Sequence, residues 1–129
     1  MKVSVYGSLV KGMHNHDYYL GKAKYVGEYY TTPDFTLYSL NSFPGLKKNG
    51  CTSIRMEVYD VSKIELKRID SLEGYVKSNP NNHYERTIMK TPYGRAIGYE
   101  YNHSVKGLPV VSGGCWKQFK RLQKVDKHV

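Results

Sequence analysis

Within the first sixty positions, short segments in which apolar and β-branched residues alternate with polar ones are separated by turn signals. Val3 and Val5 alternate with polar neighbours until Gly7-Ser8 interrupts the run. This predicts an opening strand, because successive side chains of a strand point to opposite faces. Tyr25 to Thr32 is β-branched and aromatic and is broken by Pro33-Asp34; Phe35 to Leu40 then resumes an extended pattern. Asn41 to Gly50, which holds Phe43-Pro44-Gly45, is expected to be a loop. From Ser53 to Tyr59, Ile54, Met56 and Val58 face one way and Arg55, Glu57 and Tyr59 the other, as in a half-buried strand.

The period then changes. Ser62-Lys63-Ile64-Glu65 has the form of a capping box, Leu66, Ile69 and Leu72 follow at helical spacing, and Gly74 is a natural stop. Two further strands, Tyr84 to Lys90 and Arg95 to Tyr101, flank the turn Thr91-Pro92-Tyr93-Gly94 and read as a hairpin. After a stretch rich in Gly and Pro, Trp116, Phe119 and Leu122 predict a closing helix. Many strands and few helices indicate an α+β fold, expected as a small mixed-sheet twisted β-barrel in a single domain over residues 1–129.

Composition narrows the function classes. No apolar run approaches the roughly 20 residues that span a bilayer, so no membrane partner is expected. The two cysteines, Cys51 and Cys115, read as reduced thiols of a cytoplasmic protein. A formal charge of +9 suggests attraction to anions, from nucleic acid to an acidic metabolite. Lys117, Lys120, Arg121, Lys124 and Lys127 against Asp126 supply much of it, in a pattern that also suits a solvated helix face. The thirteen tyrosines, as in Tyr99-Glu100-Tyr101, fall at alternating positions that favour packing on a sheet over stacking on bases.

Two places could carry chemistry. Tyr6-Gly7-Ser8-Leu9 follows the first strand directly, and a glycine there lets backbone N–H groups approach an anion; the same pattern is also an ordinary turn. Glu73 lies four residues after Ile69 and seven after Leu66, on the apolar stripe and at the helix C-terminus. Burial and the helix dipole there would both raise its pKa towards the range useful for a general acid/base. A glutamate in a last turn also frays outward into solvent, and the sequence leaves both open. His14-Asn15-His16-Asp17 clusters potential metal ligands, but histidines two apart share no helix face, and no metal is assigned. Neither cysteine has a neighbouring base that would mark it as a nucleophile.

Taken in order, these segments resemble the gamma-glutamyl cyclotransferase-like family. Val5-Tyr6-Gly7-Ser8-Leu9 is similar to its V-Y-G-[ST]-L loop, and Phe43-Pro44-Gly45-Leu46 to its Y-P-G-L turn. Glu57-Val58-Tyr59-Asp60-Val61 resembles its E-[VL]-Y-x-V strand, and Ile69 to Tyr75 its L-D-x-L-E-G-[YF] segment. Tyr84-Glu85-Arg86, Ala96 to Tyr101 and Ser112 to Trp116 resemble its later motifs, and Asn15 falls where the family often has Asn. The resemblance implies Glu73 as acid/base, Tyr6, Gly7, Ser8 and Leu9 as the loop binding a γ-glutamyl or 5-oxoproline moiety, and Tyr84 and Tyr101 lining the cavity. It implies cyclisation of a γ-glutamyl group to 5-oxoproline with release of an amine or amino acid, without metal or cofactor. Lys11, Met56 and Cys115 depart from the family pattern; the first is expected to alter the pocket mouth and the others to affect packing. The rival expectation is a non-catalytic protein of the same fold holding an anionic metabolite or nucleotide. Nucleic-acid binding ranks last, since no recognised motif supports it.

Overall fold

The computed structural model describes residues 1–126, so Lys127 of the basic tail lies outside the described residues. The elements run along the chain as β1 (Lys2–Val5), α1 (His16–Leu20), β2 (Lys24–Tyr30), β3 (Phe35–Ser39), β4 (Pro44–Lys48) and β5 (Arg55–Asp60), followed by α2 (Lys63–Glu73), β6 (Tyr84–Thr91), β7 (Gly94–Tyr101) and α3 (Trp116–Asp126). The expected α+β class is what the chain adopts. Five strands form one sheet in the order β2-β5-β1-β7-β6, and β3 and β4 form a separate ribbon. β1 pairs antiparallel with β5 and parallel with β7, so the chain leaves the middle of the sheet at Val5.

The sheet buries both faces. On one, Val3, Val5, Tyr59 and Tyr99 pack with Leu66 and Ile69 of α2. On the other, Met56, Val58 and Met89 pack with Leu37, Leu46 and Trp116 from the ribbon and α3. The alternation of odd and even positions in β1 and β5 therefore feeds two clusters. Each fully buried Val, Leu or Ile contributes about 1.5–3 kcal/mol, so these two clusters carry most of the stability. Met56 takes hydrogen bonds from Ser4 and Tyr29 on its sulfur, both at 3.2 Å, which suits its expected packing role.

Two expectations change. Among the described residues the strands do not close into a barrel, because β2 and β6 remain edges of an open sheet. The sheet instead curls, with a bulge between Tyr25 and Gly27. The β6–β7 turn thereby reaches β2, and the Tyr93 hydroxyl donates to the Glu28 carbonyl at 2.7 Å. Gly27 permits this approach, since a Cβ there would lie 2.3 Å from the Tyr93 oxygen. Asn41 to Gly50, expected as a loop, is a turn followed by β4, paired from Ser39↔Pro44 to Phe35↔Lys48. Pro44 is tolerated because it opens the strand, where a missing N–H interrupts little.

Helix α2 begins and ends as its sequence dictates. Ser62 Oγ accepts from the Glu65 N–H at 3.1 Å, and the Glu65 carboxylate accepts from the Ser62 N–H at 2.8 Å. Gly74 stops the helix in the left-handed conformation, φ 67°, and its N–H returns to the carbonyls of Asp70 and Ser71. That stop fixes the direction in which Glu73, the last helical residue, leaves the helix.

Candidate active site

The end of β1, the end of α2, the start of β6 and the β3–β4 turn enclose a cavity of about 310 Å³. Tyr6, Gly7, Ser8, Leu9, Glu73 and Tyr84 all line it, so the structure places these six expected residues around one cavity. Asn15, His14, Phe43, Leu72, His83 and Tyr99 share the lining. Tyr101, expected beside Tyr84, is not part of it. It packs against Tyr84 at 5.4 Å between ring centroids, within the core.

The loop after β1 is held by its carbonyls. Gly7 O accepts from the Val10 N–H at 3.2 Å, and Ser8 O from the Asn15 N–H at 3.1 Å. The Asn15 side-chain amide donates to Ser8 Oγ at 2.9 Å. The N–H groups of Gly7, Ser8 and Leu9 have no protein acceptor among the described residues, which leaves a run of donors on the cavity wall. Glycine is required at position 7 because a Cβ would sit 2.8 Å from the Pro44 ring. Glu57, buried on β5, pins the far end of this loop: it accepts from the Lys11 N–H at 2.9 Å, from Tyr59 OH at 2.7 Å and from Arg55 at 2.8 Å. Burial would raise its pKa, but these three donors and the Arg55 charge outweigh it and hold the carboxylate below its ordinary range.

Tyr6 and Tyr84 present rings more than hydroxyls. Tyr6 OH donates to Tyr99 O at 2.7 Å and accepts from the Leu46 N–H at 3.3 Å; Tyr84 OH donates to Pro44 O at 2.7 Å. Burial raises both phenols above their usual range, so both stay neutral.

Glu73 has the opposite environment to Glu57. Among the described residues its carboxylate accepts no hydrogen bond from the protein. Burial, followed by the negative charge of Asp70, raises its pKa to about 7. Asp70, one turn earlier, accepts from Tyr99 OH at 2.6 Å and from two nitrogens of Arg86. This network ties the last turn of α2 to β6 and β7, and the sequence did not reveal it, since its partners lie 16 and 29 residues from Asp70.

The histidine-rich segment separates. His14 lines the cavity, while His16 opens α1 with its Nδ1 at 2.9 Å from the Leu9 carbonyl and its ring against Tyr59. Among the described residues, no three His, Cys, Asp or Glu side chains converge as a metal site.

A family model described as gamma-glutamyl cyclotransferase, AIG2-like, matches residues 3–118. The chain belongs to this family. A gamma-glutamylcyclotransferase family protein, ytfP, from Citrobacter rodentium is 32% identical over 90% of this chain and 95% of its own. The solution structure of ytfP from Escherichia coli superposes with a TM-score of 0.72 at 30% identity, covering 90% of this chain and 96% of that one. An uncharacterized protein from Pyrococcus horikoshii matches with a TM-score of 0.81 at 27% identity, covering 100% and 99%. The gamma-glutamyl cyclotransferase assignment thus rests on sequence and fold together, and no helix among the described residues is long and apolar enough to cross a membrane.

Proposed function

We propose that this protein is a cofactor-independent enzyme that cyclises a γ-glutamyl group to 5-oxoproline, with Glu73 as general acid/base and the Tyr6–Leu9 loop as the γ-glutamyl site. The observation that carries the reading is the pairing of two opposite features in one cavity. A carboxyl raised to about 7 shares it with a run of unpaired backbone N–H groups.

The substrate's α-ammonium gives a proton to the Glu73 carboxylate, which frees the nitrogen lone pair to attack the γ-carbonyl carbon. The oxyanion that forms is stabilised by the N–H groups of Gly7, Ser8 and Leu9. Collapse breaks the bond to the departing nitrogen, which takes its proton from Glu73. Two protons leave the α-nitrogen and two end on the departing nitrogen, so the amine is released as an ammonium and Glu73 returns to carboxylate. Nucleophile and leaving group both belong to the substrate, so neither water nor an electron carrier enters the balance. Confining the γ-glutamyl chain in its cyclising conformation supplies a further share of the rate. Cys51 and Cys115 are free thiols, which suits an enzyme of the cytoplasm.

The rival reading, an anion-binding protein, draws on the +9 charge. Among the described residues no Lys or Arg lines the cavity, however, so that charge does not converge on a bound nucleotide. The test is 5-oxoproline release from γ-glutamyl dipeptides and γ-glutamyl-amines by the wild type and by Glu73→Gln. We expect release by the wild type and a loss of at least about 100-fold in the variant, with circular dichroism unchanged. Undiminished release by Glu73→Gln would remove Glu73 from the mechanism.

A further inference from the structure

The cavity floor accounts for a γ-glutamyl group, and the mouth says something about what is attached to it. The floor is buried tyrosine: Tyr6, Tyr84 and Tyr99. The mouth is formed by Phe43, His14 and His83, all exposed. Phe43 is 40% exposed and belongs to neither core cluster, so the fold does not need its ring. Its backbone is nevertheless held firmly. The Leu40 N–H donates to Phe43 O at 2.9 Å, the Asn41 N–H donates to Ser39 Oγ at 3.2 Å, and Lys120 Nζ from α3 donates to Asn41 O at 3.0 Å. In the same lining, the His83 ring lies edge-on to Tyr84 at 6.3 Å and to His103 at 5.3 Å, which extends the aromatic surface beyond Tyr84.

Charge is absent in the same place. Among the described residues Glu73 is the sole Asp, Glu, Lys or Arg lining the cavity, so a carboxylate or ammonium on the departing amine finds no second charged group there. A solvent-facing phenyl ring that shares this lining with two imidazoles suits a flat apolar group better than a charged one.

We propose, building on the cyclotransferase reading, that the mouth selects a departing amine carrying an uncharged aromatic ring. The preferred substrate class is then the γ-glutamyl conjugate of an arylalkylamine, and Phe43 is a specificity-determining residue that packs on the ring.

The test measures kcat/KM for 5-oxoproline release from γ-glutamyl-phenethylamide, γ-glutamyl-butylamide and γ-glutamyl-alanine. Aromatic contacts of this kind correspond to roughly a three- to tenfold effect, so we expect the phenethylamide to lead the butylamide by that factor. The alanine conjugate, with its carboxylate, should trail both. Phe43→Ala should collapse the ratio of phenethylamide to butylamide towards one, and Phe43→Tyr should restore it. Because the readout is a ratio within one protein, a variant of reduced stability still reports. Release with equal kcat/KM across the panel, a lead for the alanine conjugate, or a ratio unmoved in Phe43→Ala would overturn the specificity and leave the cyclotransferase reading standing. Release from none of the three, nor from the wider panel of γ-glutamyl compounds, would overturn both.

Discussion

A carboxylate on a cavity wall, with no donor of its own and a second carboxylate one helical turn away, is costly to ionise. Glu73 is in that position, and its pKa of about 7 against an ordinary 4.5 makes the cost measurable without any substrate. The folded state binds this proton more tightly than the unfolded chain does. Stability due to Glu73 is therefore intact below about pH 4.5 and falls as pH rises towards 7, after which the penalty is constant. Glu73→Gln removes the penalty, so at pH 8 it should be about 2–3 kcal/mol more stable than wild type in urea unfolding, with little difference at pH 4.5. Asp70 contributes to the shift, so in Asp70→Asn the Glu73 carboxyl should titrate at lower pH, read by NMR of the labelled side chain. A titration that stayed near 7 would assign the shift to burial alone. Neither experiment depends on knowing the substrate.

Helix α2 delivers this carboxyl, and its two ends do the delivering. The capping box at Ser62 and Glu65 sets where the helix starts, and the left-handed Gly74 sets where it stops. Gly74→Ala forces a Cβ into φ 67° and places it 3.2 Å from His83 Cβ. We expect a loss of about 1–2 kcal/mol in thermal unfolding and a larger loss of turnover, because the residue before the cap is Glu73. This element was fully legible in the sequence, since capping and periodicity are local signals. β4 was not, because Pro44-Gly45 carries turn chemistry, and it is the pairing with β3 that makes it a strand. The five-residue α1 was missed for a related reason: so short a helix shows no apolar period, and it owes its place to buried Leu20. Within the site, Glu73 and the glycine loop were legible as motifs. The Asp70–Arg86–Tyr99 network and the Glu57 clamp were not, because they depend on side chains that meet only in the folded sheet.

For the molecule as a whole, Glu57 and Glu73 pull the pH dependence in opposite directions. Glu57 is held below its ordinary range, so its contribution is present above the unfolded glutamate pKa and is lost as acid protonates it. Glu73 withdraws stability on the alkaline side. Thermal melts across pH should therefore show a maximum between about 4.5 and 6, where Glu57 is ionised and Glu73 is still largely protonated. A maximum above pH 8 would contradict this assignment. The curl of the sheet has a separate consequence. An open sheet offers an edge at β2, where unpaired backbone groups are a template for another chain. Tyr93 lays its ring over Gly27 and occupies the Glu28 carbonyl. An incoming strand would meet an aromatic plug at the middle of that edge, so a single side chain from the hairpin turn guards the sheet against growing into an aggregate.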